Sequence, residues 1–447
     1  MAPRFGTDGV RGVANQELTP AVATALGRAA AAALGDGPYV VGRDPRRSGP
    51  MLEAALIAGL CAGGADVELL GLVPTPAVAW VSAQRGIPGA MISASHNPFG
   101  DNGIKLFAAG GLKLDDAAEA EIEAAYLALL EGSGEVQDPP IGADVGTVLS
   151  SPGIEGWIES LCSSIEGRRL SGMTIALDCA NGAATGHAAR VFTELGAKVH
   201  VIGDEPNGIN INDGYGSTAP GLLSKAVVEH GADLGLAFDG DADRLIAVDE
   251  TGSVVDGDRV LAILALDWSP RARLADDTVV VTVMSNLGFH RAMAAAGIKV
   301  VTTDVGDRSV LQALDEGRFS LGGEQSGHVI CRELATTGDG VLSGVQLADV
   351  VARSPIPLSR LAVDAMTTVP QILRNVRLPR HDPTLLARMG EDVSAVETRF
   401  GDDGRVLVRL SGTEPLLRVM VEHVDPNMAD EGCDRLVEVA QRLVSSP

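Results

Sequence analysis

The stretch LGLAFDGDADRLIAVDE (residues 234–250) sets three carboxylates, Asp239, Asp241 and Asp243, between two apolar runs. Carboxylates this close repel one another unless a cation lies among them. Hard oxygen donors of this kind suit Mg2+ or Ca2+. The spacing imitates an EF-hand loop with Glu250 at its twelfth position. Arg244 stands at the sixth, however, where the calcium loop needs glycine, and the flanks read as strands. A solvated acidic turn is the plain alternative. Arg244 weighs against it, because a guanidinium beside a metal can hold phosphate.

A second stretch is GAMISASHNPFGDNGIKLF (89–107). Its apolar run, Ala90 to Ile92, ends abruptly in Ser93, Ser95, His96 and an Asn97-Pro98 turn signal. A cap or hydroxyl turn accounts for one serine. The other is free to be a nucleophile or phosphate carrier. Lys105 follows in what reads as a further glycine-rich loop.

Three other segments favour anions or sugars. LGGEQSGHVI (321–330) offers Glu324 and Ser326 to hydroxyl groups, and its His328 can move a proton. A histidine next to a strand is nonetheless more often structural. Just upstream, TTDVGDR (302–308) carries Gly306, Asp307 and Arg308. RLSGTEPLLR (409–418) places Ser411, Gly412 and Thr413 between Arg409 and Arg418, as a phosphate nest or an ordinary hairpin turn. Near the start, FGTDGVRG sets Arg11 among glycines that let the backbone bend closely around a ligand.

These loops need elements to hold them. Three times an alanine-rich helical stretch ends in glycine, a small residue, any residue and valine: Gly64 to Val67, Gly196 to Val199 and Gly297 to Val300. The glycine stops the helix and the apolar run starts a strand, which predicts βαβ units and layered α/β domains. The tail differs. Residues 406–422 read as strand, loop, strand, and an amphipathic helix is expected from about Ala429 to Val444. Residues 131–152, rich in glycine and proline, read as a linker.

At 447 residues the chain has room for three or four domains. It is 45% hydrophobic with only 3% aromatic residues, which favours Ala/Val/Leu-rich α/β packing. No apolar run is long enough for a membrane span, and the start lacks the apolar segment of a signal peptide. Five scattered cysteines without C-x-x-C spacing point to reduced thiols and a cytoplasmic setting. A net charge of −24 disfavours nucleic acid and anionic membranes. A phosphorylated substrate would then need basic groups gathered locally against the global field.

The four loops, SASHNP, DGDADR, GEQSGH and RLSGTEP, in this order resemble those of the α-D-phosphohexomutase superfamily over essentially the whole chain. Within it, FGTDGVRG, ISASHNPFGDNGIKLF, GGEQSGH and SGTEPLLRVMVE are similar to the forms found in bacterial phosphoglucosamine mutases. Leu410 departs from that pattern, where relatives often carry Lys or Pro.

The resemblance implies three related α/β domains (1–147, 148–252, 253–364) and a smaller, mobile C-terminal α+β domain (365–447). It implies interconversion of glucosamine 6-phosphate and glucosamine 1-phosphate through a sugar bisphosphate, which also serves as activator. Ser95 would be the phosphoserine, and one Mg2+ would rest on Asp239, Asp241, Asp243 and a serine-phosphate oxygen. Arg11, Lys105 and His328 would serve catalysis, with Lys105 and His328 both open as the proton shuttle. Arg244 would contact the reacting phosphoryl group or the sugar. Glu324, Ser326 and Gly306 to Arg308 would hold and orient the sugar, while Arg409, Ser411, Gly412, Thr413 and Arg418 would grip the distal phosphate. A homodimer is the expected assembly. Two alternatives stand beside this reading: a phosphomannomutase/phosphoglucomutase, and a non-catalytic sugar-phosphate or metal-binding protein.

Overall fold

A computed structural model describes residues 2–6, 8–35, 37–133, 139–151, 153–380, 382–411 and 415–445. Four sheets succeed one another along the chain.

The first three are built on one plan. In the second sheet, Lys198–Ile202, Thr174–Asp178 and Leu234–Phe238 lie parallel, and Leu245–Asp249 returns antiparallel. In the third, Lys299–Thr303, Thr278–Thr282 and Leu321–Gly323 are parallel, with Val329–Cys331 antiparallel. The first repeats this with Val67–Leu72, Tyr39–Arg43, Gly89–Ile92 and the antiparallel Asp101–Ala108. It is widened by Gly9–Val13 at one side and by Val148–Leu149 on Val67–Leu72 at the other. The expected domain boundary after residue 147 thus meets a stretch that still extends the first sheet. Because the three cores share strand order, they also share a turn: the one between third and fourth strands.

The thrice-repeated glycine signal marks the second strand of each unit. Gly64, Gly196 and Gly297 have φ of 92°, 94° and 73°. Each lies just past a helix, in the left-handed region where a side chain is strained.

One apolar cluster runs through the first three units, joining Val40, Trp157, Phe238, Val281 and Leu347. The fourth sheet, Gln371–Arg377, Leu416–His423 and Gly404–Leu410, is wholly antiparallel. It closes its own core, with Leu417, Val419, Phe400 and Leu436, under the helix Pro426–Ser445, which starts three residues earlier than the sequence suggests. Its junction with the third unit is polar. Glu422, fully buried, accepts from Asn286 Nδ2 (2.9 Å) and from the Leu287 amide (3.2 Å), and Arg405 Nη2 donates to the Ser285 carbonyl (2.7 Å). A separate core behind a polar seam is the construction that permits domain movement.

All five cysteines are free thiols. Among the described residues, no helix is long and apolar enough to cross a membrane.

Candidate active site

The shared turn carries the candidate residues in all three units. In the first it holds Ser95, in the second Asp239, Asp241 and Asp243, in the third Glu324, Ser326 and His328. Each turn follows the carboxyl end of a parallel strand, the edge where α/β sheets bind ligands, and the three meet: Ser95 touches Asp239 and His328 lies beside Asp243.

The two serines separate cleanly. Ser93 is fully buried, donates Oγ to Asp44 Oδ2 (2.6 Å) and accepts the Ser95 amide (2.9 Å), so it braces the turn. Ser95 reaches out of its domain: its Oγ donates to Asp239 Oδ2 at 2.6 Å. His96 Nδ1 lies 3.3 Å from the same hydroxyl. Burial, with Arg244 and Arg11 nearby, lowers the His96 pKa to about 4, so it stays neutral at physiological pH.

The carboxylates of Asp239, Asp241 and Asp243 are buried and offer oxygens within 4.8 Å of one another. Burial, reinforced by Asp243 and Asp241, holds the Asp239 carboxyl well above the usual range. Among the described residues, Asp241 Oδ1 and Asp243 Oδ1 are buried without a hydrogen-bond partner. Three converging hard oxygens, two of them unsatisfied, fit a divalent cation. The EF-hand comparison ends here. Glu250 lies outside the triad and accepts the Ser359 amide at 3.1 Å.

Lys105 is on the strand Asp101–Ala108 rather than in a loop. Its Nζ meets Asp241 Oδ2 (2.8 Å), Asp8 Oδ2 (3.1 Å) and Asp243 Oδ2 (3.2 Å). Burial alone would favour the free amine, but these carboxylates overrule it and hold the pKa well above that of a free lysine. The three carboxylates thus favour the charged form of Lys105. Arg11, opposite Gly103 across the strands, is ion-paired with Asp8. His328 stands 3.7 Å from Asp243 and 3.5 Å from Asp307; against burial, these two raise its pKa.

Other expected sugar contacts take mixed positions. The Gly306 amide donates to Glu324 Oε1 at 3.1 Å, while Ser326 is exposed at the tip of its loop. Asp307 pairs with Lys113, and Arg308 pairs with Asp116 and Glu119 of the first unit, as a strut between domains. Arg244 anchors through its amide on Asp239 Oδ1 (3.1 Å), and its buried Nε has no hydrogen-bond partner among the described residues.

The fourth unit offers a cation pair. Arg409 and Arg418 are directly opposite on adjacent antiparallel strands, each with a buried Nε that has no hydrogen-bond partner among the described residues. Burial and Arg418 push the Arg409 pKa down, with Glu324 acting against them. Two guanidiniums so placed destabilise the sheet unless an anion lies between them. Ser411 is buried next to them, whereas Gly412 and Thr413 lie outside the described residues.

Sequence reasoning missed Asp8, Thr75, Lys113, Arg46 and Asn212. Asp8 was within the quoted FGTDGVRG motif, three residues from Arg11. Thr75 donates to Asp241 Oδ2 at 2.6 Å from the start of the helix Thr75–Arg85, and only its Pro-Thr-Pro setting hinted at a fixed turn.

Comparison with known proteins agrees with this geometry. Models of phosphoglucomutase/phosphomannomutase domains match in order: alpha/beta/alpha domain I at 2–132, II at 155–252, III at 256–369 and the C-terminal domain at 373–439. The phosphoglucosamine mutase of Nocardia farcinica is 51% identical, covering 99% of this chain and 100% of its own length. That of Exiguobacterium sp. is 48% identical, covering 99% and 98%. Among solved structures, a phosphoglucomutase/phosphomannomutase family protein from Burkholderia thailandensis superposes with TM-score 0.80 at 24% identity, covering 99% of this chain and 98% of that one. The N-acetylphosphoglucosamine mutase of Aspergillus fumigatus, solved with GlcNAc-6P and magnesium, gives 0.70 at 17% identity, covering 100% and 96%.

Proposed function

Since the chain belongs to the phosphoglucomutase/phosphomannomutase family, we propose that it is a phosphoglucosamine mutase, an isomerase interconverting glucosamine 6-phosphate and glucosamine 1-phosphate. The observation that carries the chemistry is the 2.6 Å contact from Ser95 Oγ to Asp239, one carboxylate of a buried triad. The choice of amino sugar rests on the two full-length relatives above, at about half identity and both named for that activity.

Ser95, phosphorylated, is the carrier. It gives its phosphoryl group to one end of the sugar phosphate, and the resulting bisphosphate turns around and returns its other phosphate to Ser95. Asp239, Asp241 and Asp243, with Ser95 beside them, would hold one Mg2+, which when bound would supply Lewis-acid neutralisation of the transferring charge. Arg11 and Arg244 add fixed positive charge beside it. Lys105, bonded to the same carboxylates, relays the sugar hydroxyl proton to the departing Ser95 oxygen; His328 is the second group able to do so. Glu324 and Ser326 receive the sugar hydroxyls, and Gly306 and Asp307 orient that loop, while Arg308 acts from its interdomain strut.

The distal phosphate lies on Arg409 and Arg418 with Ser411, Gly412 and Thr413. A grip on a unit with its own core lets the intermediate turn without leaving. The domain boundaries given above, a homodimeric assembly and a cytoplasmic location complete the proposal.

The decisive test is a coupled assay with glucosamine 6-phosphate, Mg2+ and a trace of sugar bisphosphate. Turnover on glucosamine phosphate well above that on glucose or mannose phosphates is expected. Equal or faster turnover of the neutral hexoses would reassign the substrate. Binding without turnover, and with no phosphate on Ser95, would make the protein a sugar-phosphate binder.

A further inference from the structure

Ser95 has φ of 52°, in the left-handed region that residues other than glycine seldom occupy. Such strain persists only where the surroundings impose it. Here they do so through a buried cation. Arg46 is fully inaccessible, and its five N–H donors have five acceptors. Nε donates to Asp44 Oδ2 (2.8 Å). Nη1 donates to the carbonyls of Pro98 and Asp101 (3.1 Å for the latter). Nη2 donates to the carbonyls of Ser95 (2.9 Å) and Asn97 (2.8 Å).

A second donor comes from the neighbouring domain. Asn212 Nδ2 lies 2.9 Å from the same Ser95 carbonyl and 3.2 Å from that of Asn97. Close by, the Arg47 amide donates to the Gly208 carbonyl (2.8 Å), tying the Asn212 loop to the first domain. Space is equally constrained. A Cβ on Gly240, between Asp239 and Asp241, would approach the Ser95 carbonyl to 2.5 Å. With its amide on Ser93, Ser95 is therefore pinned at both its N–H and its C=O.

We propose that Arg46 and Asn212 are positioning residues that fix the direction of the Ser95 side chain, so that its phosphoryl group goes to a sugar hydroxyl rather than to water. The inference rests on the reading of Ser95 as phosphocarrier. In transfer, the sugar oxygen bonds to phosphorus, the bond from phosphorus to Ser95 Oγ breaks, and the sugar hydroxyl proton ends on Ser95. In hydrolysis a water oxygen attacks instead, inorganic phosphate leaves, and the water's proton ends on Ser95. Transfer needs one alignment with a held sugar, and misplacement by about 1 Å can cost ~100-fold. Water approaches from many directions, so hydrolysis is less sensitive to the same displacement.

The test compares Arg46→Lys and Asn212→Gly with the native chain. Lysine has three donors for five acceptors. Glycine at 212 removes the amide donor yet accepts that position's φ of 60°. If burial of a mismatched cation keeps Arg46→Lys from folding, Asn212→Gly still decides the matter. Mutase turnover and inorganic phosphate release are measured together, and hydrolysis of phosphorylated Ser95 without sugar is followed by intact mass. The expectation is a fall in kcat of about 10–100-fold with KM nearly unchanged, and a rise in phosphate released per turnover. Partial unfolding scales both rates alike and leaves their ratio unchanged. A native ratio in Asn212→Gly, whatever its kcat, overturns the proposal. Failure of the native chain to turn over sugar phosphate or to carry phosphate on Ser95 instead overturns the mutase reading on which it stands.

Discussion

Ser95 and Asp239 are 144 residues apart in sequence and 2.6 Å apart in space, joined by a hydrogen bond from the hydroxyl to a buried carboxylate. They occupy the same turn of two copies of one α/β plan. Packing the repeats against one another therefore brings a serine, a carboxylate triad and the loop of Glu324 to His328 to one centre. The gathering of these side chains is thus a consequence of the repeat, with each copy's turn free to specialise.

Ser95→Ala removes the carrier while leaving a well-packed turn. Its amide still reaches Ser93, and its carbonyl still reaches Arg46 and Asn212. Turnover should fall by at least ~1000-fold, the scale of losing a covalent nucleophile, with the thermal midpoint little changed. Intact mass should lose the ~80 Da phosphate species of the active protein. Near-native turnover in this variant would remove Ser95 from the carrier role.

Chelation tests the triad independently. Excess chelator should abolish turnover, and Mg2+ should restore it. Asp241→Asn should require a higher Mg2+ concentration, because one anionic ligand is lost while the Thr75 hydrogen bond has an acceptor still. Direct binding of Mn2+ as a spectroscopic probe supplies a readout apart from rate. Undiminished Mn2+ affinity in Asp241→Asn would take that carboxylate out of the metal site.

Much of this site was legible in the sequence because its loops are local. The glycine stops at 64, 196 and 297 report backbone φ directly, and Asp239 to Asp243 are neighbours along the chain. Lys105 was misread as a loop residue because Asp, Asn and Gly precede it. The strand is real, and Gly103 serves a packing need: a Cβ there would meet the Ser93 carbonyl at 2.5 Å and the Arg11 side chain at 2.9 Å. Arg46 was illegible for the opposite reason. In the run Arg43, Asp44, Pro45, Arg46, Arg47 it looks like surface charge, and only carbonyls about fifty positions away make its burial tolerable.

Stability should carry a signature of Asp258, beneath the seam to the fourth domain. Its Oδ2 accepts the Asn286 amide at 2.8 Å, and burial, with Asp256 adding to it, raises its pKa to about 7. For an acid whose folded pKa exceeds its unfolded value near 3.8, the folded state keeps a proton that the unfolded chain releases. The stabilisation is full below that lower value and is lost as pH rises through 7. Asp258→Asn cannot ionise, so the native-minus-variant stability should fall between pH 6 and 8, with a slope of at most ~1.4 kcal/mol per pH unit. Chemical denaturation at both pH values checks this. A difference constant with pH would assign the Asp258 proton elsewhere.

If Arg409 and Arg418 grip a phosphate, their pairing trades stability for affinity. Like charges opposite one another on adjacent strands weaken a sheet by a few tenths to about 1 kcal/mol, and an anion bound between them reverses the sign. In Arg418→Ala the anion-free protein should keep or gain stability. The KM for sugar phosphate should rise about 10- to 100-fold, the value of charge-assisted hydrogen bonds of ~1.5–3 kcal/mol. Inorganic phosphate should raise the thermal midpoint of the native chain more than that of the variant, since only a ligand that binds the folded state stabilises it. The two measurements separate grip from scaffold. A purely structural Arg418 predicts a less stable variant with native KM, whereas a phosphate grip predicts the reverse.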